Sequence, residues 1–259
     1  RAAITKSNRR ARGTLRAFAL PPPVHGCQPQ ESFMRRTLFL LIVGLGGAAI
    51  LIWLGVWQIQ RLAWKEAIIA DINTRIAAAP VDLPASVNRD LDAYLPVTVS
   101  GTFEQGEVHV LVSQKDVGAG YRIITPFVLE DGRRIMVDRG FAVASAKNVA
   151  RSDGPATVTG NLQWPQETDS FTPEADLKGN IWFARDVPAM ARTLGTQPVL
   201  LVTRSSTPPA AGISPLPVDT ARIPNDHLQY AITWFSLAAI WLGMSLFFLR
   251  RRRAPKTES

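Results

Sequence analysis

The sequence predicts an α+β membrane protein in which two transmembrane helices flank an exported, mostly antiparallel β domain with one or two helices. Two runs without a charged residue, 37–59 and 228–249, are each long enough to cross a hydrocarbon core of about 30 Å as a helix. Between them lie short segments in which apolar and polar residues alternate, which is the period of a half-buried strand. The exported domain is therefore expected to be a small barrel or a curled sheet.

The basic residues predict the orientation of these helices. Arg35 and Arg36 precede the first apolar run, and the arginines of 250–253 follow the second. Because lysine and arginine are enriched on the cytoplasmic side, both termini are expected to be cytoplasmic. Between 62 and 226 acidic residues outnumber basic ones, although the whole chain has a net charge of +8. A nucleic-acid partner is therefore not expected, since its binding surface would need basic residues on the folded part.

The predicted organisation has five segments. Residues 1–33 are expected to be disordered, either as a mis-called start or as an Arg-rich presequence. The first transmembrane helix is predicted at 34–59, the exported domain at 60–227, the second transmembrane helix at 228–249 and a basic cytoplasmic tail at 250–259. The excess of arginine over lysine favours a bacterial inner membrane, with the mitochondrial inner membrane as the alternative location.

Helical spacing of apolar residues continues after the first apolar run. The segment 61–79 (RLAWKEAIIADINTRIAAA) keeps this spacing until Pro80 ends it. Such a helix is either a stem that fixes the domain against the membrane or a surface helix of the domain, and the two are compatible.

The exported domain contains six candidate strands and one further helix. Asp186 as N-cap, Pro188 in the first turn and Gly195 as C-cap delimit that helix. His109 alternates with three valines and is expected to face solvent. The candidate strands are 95–103, 107–113, 121–129, 133–139, 156–164 and 198–204.

The side-chain inventory argues against an enzyme. The single cysteine, Cys27, lies in the segment 1–33, so the exported domain has no thiol for a disulfide or a cysteine metal site. Nucleophile-elbow, HExxH, P-loop and GxGxxG patterns are absent from the sequence. No pair of carboxylates is marked as catalytic.

His227 is different because it stands at the start of the second apolar run. Antiparallel helices would bring it level with the end of the first run. Neutral imidazole is a good axial ligand for haem iron, aromatic rings suit a porphyrin, and an arginine can pair with propionates. The alternative is a helix-capping or interface-bonding histidine among ordinary interfacial aromatics. The residues of this candidate site are His227, Tyr230, Trp234, Trp57, Gln58 and Arg61.

The same residues carry a resemblance to the surfeit-locus (Surf/Shy) family of cytochrome c oxidase assembly factors. The pairing of GxWQxxRxxWK after the first apolar run with HLQYAxTW at the start of the second is specific. Asp138 departs from the pattern, in which asparagine is expected. The matching motifs are LGVWQIQRLAWK (54–65), YLPVTVSGTF (94–103), GYRIITPF (120–127), MVDRGF (136–141), VTGNL (158–162), FTPE (171–174), WFARDVPAMA (182–191) and HLQYAITWF (227–235).

The resemblance implies an assembly factor for haem–copper cytochrome c oxidase. Such a protein receives haem a transiently at the membrane interface and assists its insertion into the catalytic subunit. By the same mapping His227 is the axial ligand of the haem iron, and the other five site residues support it. The implied partners are the oxidase catalytic subunit, the haem a synthesis machinery and the lipid bilayer. The alternative function is a haem-independent chaperone or scaffold that holds the immature oxidase subunit; a periplasmic sensor or structural module is a further rival.

Overall fold

The computed structural model describes residues 30–115, 117–151, 153–221 and 223–253. Within those ranges the helices are α1 (Gln30–Ala77), α2 (Val187–Leu194) and α3 (His227–Arg253). The strands are β1 (Val81–Asp82), β2 (Pro96–Phe103), β3 (Val108–Gln114), β4 (Gly118–Leu129), β5 (Arg134–Val143), β6 (Gly154–Leu162) and β7 (Leu200–Thr207). The predictions for the N-terminal segment up to residue 29 and for the tail beyond residue 253 lie outside the described residues.

Five of the described strands close into a barrel. Around the ring the order is β2, β6, β7, β5 and β4, and the ring closes because β4 also pairs with β2. The pair β5–β7 is parallel and the other pairs of the ring are antiparallel. Strands β1 and β3 extend the sheet from β2 and β4. The predicted α+β fold, with a small and mostly antiparallel barrel between two long apolar helices, is confirmed.

Two glycines allow neighbouring strands of the barrel to approach closely. A Cβ atom on Gly101 would collide with the carbonyl of Val128, at the seam where β2 meets β4. A Cβ atom on Gly160 would collide with the carbonyl of Val202, next to the irregular register of β6 and β7. Glycine is found where a strand bends or another backbone comes close. These positions therefore favour closure of the sheet.

The barrel interior and the layer under α2 form two apolar clusters. In the interior, the rings of Phe103 and Phe127 meet edge to face with centroids 4.7 Å apart. Under α2, Met190 is fully buried against residues of the barrel wall. The predicted caps of α2 are present, because the Asp186 carboxylate accepts from the Ala189 N–H at 2.9 Å and Gly195 has a φ of 64°. The barrel is thus a packed core rather than a channel.

The prediction that His109 faces solvent is wrong. Its side chain is buried, with Nε2 2.6 Å from the Glu107 carboxylate and the ring 5.8 Å from that of Tyr121. Alternation along a strand shows which residues share a face, and does not show whether that face is covered. Here the face is covered, because the Glu107 carboxylate beside the imidazole also pairs with Arg151 and the Tyr121 ring lies alongside.

The described residues form two compact units, which divide both long helices. One unit contains the residues before Leu54 and after Thr233, and the other contains Leu54–Thr233. In the first unit, which we call the membrane unit, the Trp241 indole N–H donates to the Gly44 carbonyl at 3.0 Å. Gly47 provides the space, since a Cβ atom there would lie 2.6 Å from the indole nitrogen.

In the second unit, the end of α1 is fixed to the barrel by hydrogen bonds. The Ile76 carbonyl accepts from Arg204 Nη2 at 2.6 Å and from Asn161 Nδ2 at 3.2 Å. It is one of the last carbonyls of α1, which have no partner within the helix. Asn161 also donates to the Tyr94 carbonyl at 2.9 Å, and Ile76 packs against the cluster under α2. The helical segment after the first apolar run is therefore part of the folded domain.

A buried ion pair joins β4 to β5. The Asp138 carboxylate is fully buried; it pairs with Arg122 and accepts from the Gly140 N–H at 3.1 Å. Arg122 also donates to the Leu216 carbonyl at 3.3 Å. Asparagine, expected at position 138, would keep the polar contacts but would leave the charge of Arg122 without its counter-ion. Removing one partner of a buried pair is destabilising because the other charge remains buried.

We expect Asp138→Ala to lower the free energy of unfolding by about 3–5 kcal/mol, because Arg122 loses its buried counter-ion. The measurement is urea unfolding of the detergent-solubilised full chain, followed by tryptophan fluorescence. Asp71→Ala is the matched control, since it removes a carboxylate from the exposed pair with Arg75 and should cost less than about 0.5 kcal/mol. Equal effects of the two substitutions would contradict the structural role of the buried pair.

Two carboxylates organise the connection between β6 and α2, residues 163–186. The Asp169 carboxylate accepts from the Phe171 N–H at 2.8 Å and from the Thr172 hydroxyl at 2.9 Å, and these bonds lower the pKa of Asp169. Burial alone would raise the pKa of Glu167. The hydrogen bonds and charge of Arg185 outweigh that effect, so the pKa of Glu167 is lowered.

The lowered pKa values predict that this connection is sensitive to acid. A carboxylate with a lowered folded-state pKa stabilises the fold above its ordinary pKa of about 4, and the contribution is lost as the pH falls through the lowered value. We expect the amide resonances of Phe171 and Arg185 to stay constant from pH 7 to pH 5 and to move only below about pH 4. Glu167→Gln should abolish the change at Arg185 and leave that at Phe171. Midpoints above pH 5 would contradict the assignment.

Candidate functional site

The segment that leads into α3 runs along one face of α1. Three contacts join them: His227 with Gln58, the Pro224 carbonyl with Lys65, and the Thr220 hydroxyl with Asn73 at 2.9 Å. Side chains seven or eight residues apart lie on the same face of a helix after two turns. The approach to α3 is therefore aligned with α1 over this whole length, and this alignment positions the imidazole.

The imidazole of His227 makes a hydrogen bond to Gln58 through its Nδ1 atom. Its Nδ1 lies 2.7 Å from Oε1 of Gln58, whose side chain is only 8% exposed. An amide oxygen can only accept a hydrogen bond, so the proton of the neutral ring is on Nδ1. The lone pair is consequently on Nε2. His227 itself is half-buried, which leaves part of the ring accessible.

Small residues lie next to this pair. Gly55 is buried one helical turn before Gln58, and Ala231 is buried one turn after His227. Small side chains at a helix–helix contact allow the backbones to approach closely. Gly55 and Ala231 therefore add little bulk beside the hydrogen-bonded side chains of Gln58 and His227.

Trp57, Arg61 and Trp64 form an exposed stripe along α1, beside Gln58. The Arg61 guanidinium carbon lies 4.0 Å from the centroid of the Trp64 ring. In the part of the chain that the structure describes, this guanidinium has no hydrogen bond or ion pair. Its charge is therefore available to an anionic ligand.

Tyr230 and Trp234 are not in the hydrogen-bonded pair. Tyr230 is exposed, and its backbone N–H donates to the Asp226 carbonyl at 3.1 Å in the first turn of α3. Trp234 belongs to the membrane unit and is half-buried there. Of the six predicted site residues, the structure joins His227 and Gln58 directly, and it places Trp57 and Arg61 together on the exposed stripe.

Sequence reasoning missed the contact of Lys65 with Pro224 and that of Asn73 with Thr220. A signal was present, because positions 58, 65 and 73 recur at intervals that place them on one helix face. No pattern identified the loop partners, since their position depends on the return of the chain from the barrel. Among the described residues, no group of three or more His, Cys, Asp or Glu side chains is arranged to hold a metal ion.

Comparison with known proteins identifies the family. Residues 45–239 match the sequence profile of the SURF1 family. The chain belongs to the SURF1 family. It is 32% identical over 235 residues to human surfeit locus protein 1, covering 81% of this chain and 75% of the human protein. The predicted membership in the surfeit-locus family of cytochrome c oxidase assembly factors is confirmed.

Two further relatives come from an insect and a bacterium. The SURF1-like protein of Drosophila melanogaster is 33% identical over 245 residues, which is 84% of this chain and 78% of the relative. The SURF1-like protein of Rickettsia bellii is 32% identical over 200 residues, which is 73% of this chain and 82% of the relative. The relatives of this SURF1-family protein therefore include a bacterial one.

Among the residues that the structure describes, two helices of this SURF1-family protein are long and apolar enough to cross a membrane. They are Met34–Ala77 and His227–Arg251. Together with the family, they indicate a membrane location. The SURF1 family is known as a family of cytochrome oxidase assembly factors.

We expect Gln58→Ala to change the tautomer of His227, because Nδ1 loses its acceptor. In the wild type the ¹⁵N resonances of the neutral ring should show protonation at Nδ1. The variant should shift toward protonation at Nε2, which the free imidazole prefers. The measurement is NMR of the ¹⁵N-histidine-labelled protein in micelles, with His227→Asn used to assign the signal.

Gln60→Ala provides the matched control for this experiment. Gln60 is exposed and lies two residues along the same helix, so its removal should leave the His227 resonances unchanged. An unchanged tautomer in Gln58→Ala would contradict the role assigned to the amide oxygen.

Proposed function

We propose that this chain is an assembly factor for haem–copper cytochrome c oxidase, which receives haem a at the membrane interface and assists its insertion into the catalytic subunit. Family membership supports the assembly role. The hydrogen bond between Gln58 and His227 supports the haem role, because it leaves the Nε2 lone pair of His227 for the iron. Haem a is the cargo of this protein, held for transfer.

The chemistry of Gln58 suits temporary binding. Metal-ligating histidines usually donate their second ring N–H to a carboxylate, a carbonyl or water, which fixes the ring and raises its basicity. A neutral amide oxygen fixes the ring as a carboxylate would, with less transfer of negative charge to the imidazole. The Fe–N bond is then weaker than with a carboxylate partner. One imidazole with an amide partner therefore favours later release of the cargo.

The surroundings of His227 suit a porphyrin with acidic side groups. Trp57 and Tyr230, in the same unit as His227, offer exposed aromatic rings. Arg61 is exposed and could pair with a propionate, since guanidinium binds carboxylates through two parallel hydrogen bonds. These residues support orientation of the cargo, with the propionates toward the headgroups.

The proposed orientation has residues 60–227 outside and both termini in the cytoplasm. The arginines at 35–36 and 250–253 support it through the preference of basic residues for the cytoplasmic side. The bacterial relative supports a bacterial inner membrane. The proposed partners are the oxidase catalytic subunit, the haem a synthesis machinery and the bilayer, and no nucleic acid is involved.

The decisive experiment is a visible spectrum of detergent-purified protein from a host that makes haem a. We expect substoichiometric haem in the wild type and loss or shift of its absorption bands in His227→Ala. Gln58→Ala should weaken haem binding about 10- to 100-fold, as loss of the partner of a ligating histidine does. Gln60→Ala should bind as the wild type does.

Unchanged spectra in His227→Ala, with unchanged oxidase activity in the host, would exclude His227 as the ligand. If the protein then still co-purified with the oxidase subunit, the haem-independent scaffold would be the correct function. Dispensability for oxidase activity would exclude both functions.

A further inference from the structure

The loop 163–186, which we call the acidic loop, exposes large apolar side chains. Phe171 is 90% exposed, Leu177 is 67% exposed and Phe183 is 42% exposed. Loops longer than about 12–15 residues without regular structure are uncommon in compact domains and are usually functional when ordered. This loop also contains the motif FTPE and the start of WFARDVPAMA, neither of which is part of the proposed haem site.

The acidic loop is held by a dense set of hydrogen bonds. Asp169 fixes the turn that carries Phe171, and Glu167 holds Arg185 at the end of the loop. Asp176 exchanges two backbone hydrogen bonds with Ile181, each of 2.9 Å. The loop is also attached to the edge strand β3 through Trp182. Its apolar side chains are therefore presented by a defined backbone, which lowers the entropy lost on binding.

A cavity of about 390 Å³ opens beside these side chains. Leu177, Trp182 and Phe183 contribute apolar walls, and Asp169 and Thr172, which flank Phe171, also line it. An apolar depression next to a projecting aromatic residue is the arrangement found at the centre of protein interfaces. The cavity could accept one large apolar side chain of a partner.

The charge around the cavity determines the kind of partner. The acidic loop contains five carboxylates (Glu167, Asp169, Glu174, Asp176 and Asp186) and two basic residues, Lys178 and Arg185. Arg185 is already paired with Glu167. Glu174 lines the cavity and has no hydrogen bond or ion pair with any other described residue. Lys147 also reaches the loop, because its Nζ donates to the Gly179 carbonyl at 2.6 Å. Carboxylates still outnumber basic side chains by five to three, so the surface is negative and complements a basic segment.

We infer that the acidic loop is the docking surface for a basic segment of the immature oxidase catalytic subunit that carries a large apolar side chain. The identity of this partner rests on the proposed function. The negative charge disfavours a membrane surface, because the headgroups of bacterial and mitochondrial membranes are anionic. It also disfavours a symmetric contact with a second copy of this chain, which would place like charges together.

The test uses the full chain in membranes, produced together with the tagged oxidase catalytic subunit. Phe171 is replaced by the photo-reactive residue p-benzoylphenylalanine and irradiated. We expect an adduct with the oxidase subunit. The same residue in place of Leu91, which is 74% exposed outside the acidic loop, should give little adduct. Adducts only with lipid or with a second copy, or no adduct at all, would overturn the inference.

A charge reversal tests whether the negative charge of the acidic loop contributes to binding of the basic segment. Glu174→Lys should lower the adduct yield about tenfold, because it opposes the basic segment. Glu130→Lys, an exposed reversal in the turn between β4 and β5, should leave the yield unchanged. Equal yields in the two variants would overturn the charge argument. Both variants must retain the wild-type unfolding curve.

Co-purification separates this inference from the proposed function. If the wild-type chain co-purifies with the oxidase subunit but no adduct forms at 171, the docking surface is wrong and the assembly role stands. If the chain neither co-purifies nor affects oxidase activity, the assembly role is wrong as well.

Discussion

The attachment of the last turn of α1 to the barrel is the constraint on which the rest of this molecule depends. Asn161 and Arg204, from two neighbouring strands, both donate to the carbonyl of Ile76. Because a helix is stiff, fixing its last turn also fixes the residues three to five turns earlier in the same unit. Gln58 is one of these residues, and the chain that returns from the barrel runs along the same helix to His227. The barrel thereby sets the position of the imidazole.

In the proposed haem site, Gln58 orders the imidazole of His227 without making it a strong ligand. An enzyme that keeps its metal benefits from anionic partners of the ligating histidines and from several ligands. A protein that must release its cargo instead needs uncharged partners for the ligating histidine, and few ligands. The proposed site has these properties, because the neutral amide of Gln58 orders the ring without adding negative charge to it, and one imidazole is the single proposed ligand.

The barrel itself serves as a rigid support. Its interior is filled by apolar side chains such as Phe127, and a buried ion pair joins Asp138 to Arg122. The surfaces available for function are at its edges. One surface surrounds the hydrogen bond between Gln58 of α1 and His227 at the start of α3. The other is the acidic loop between β6 and α2, which presents Phe171 on an ordered turn. The proposed haem site and the proposed docking surface are thus carried by different elements of one folded unit.

The sequence by itself determined the two apolar helices, the alternating strands, the caps of α2 and the family, because these depend on neighbouring residues and on continuous motifs. The tertiary structure decided the closure of β4 onto β2, the parallel pairing of β5 with β7 and the burial of His109. It also decided that Gln58 is the residue that meets His227. These features join residues far apart in the chain. Their pairing follows from how whole elements pack, which the apolar pattern of one segment limits but does not specify.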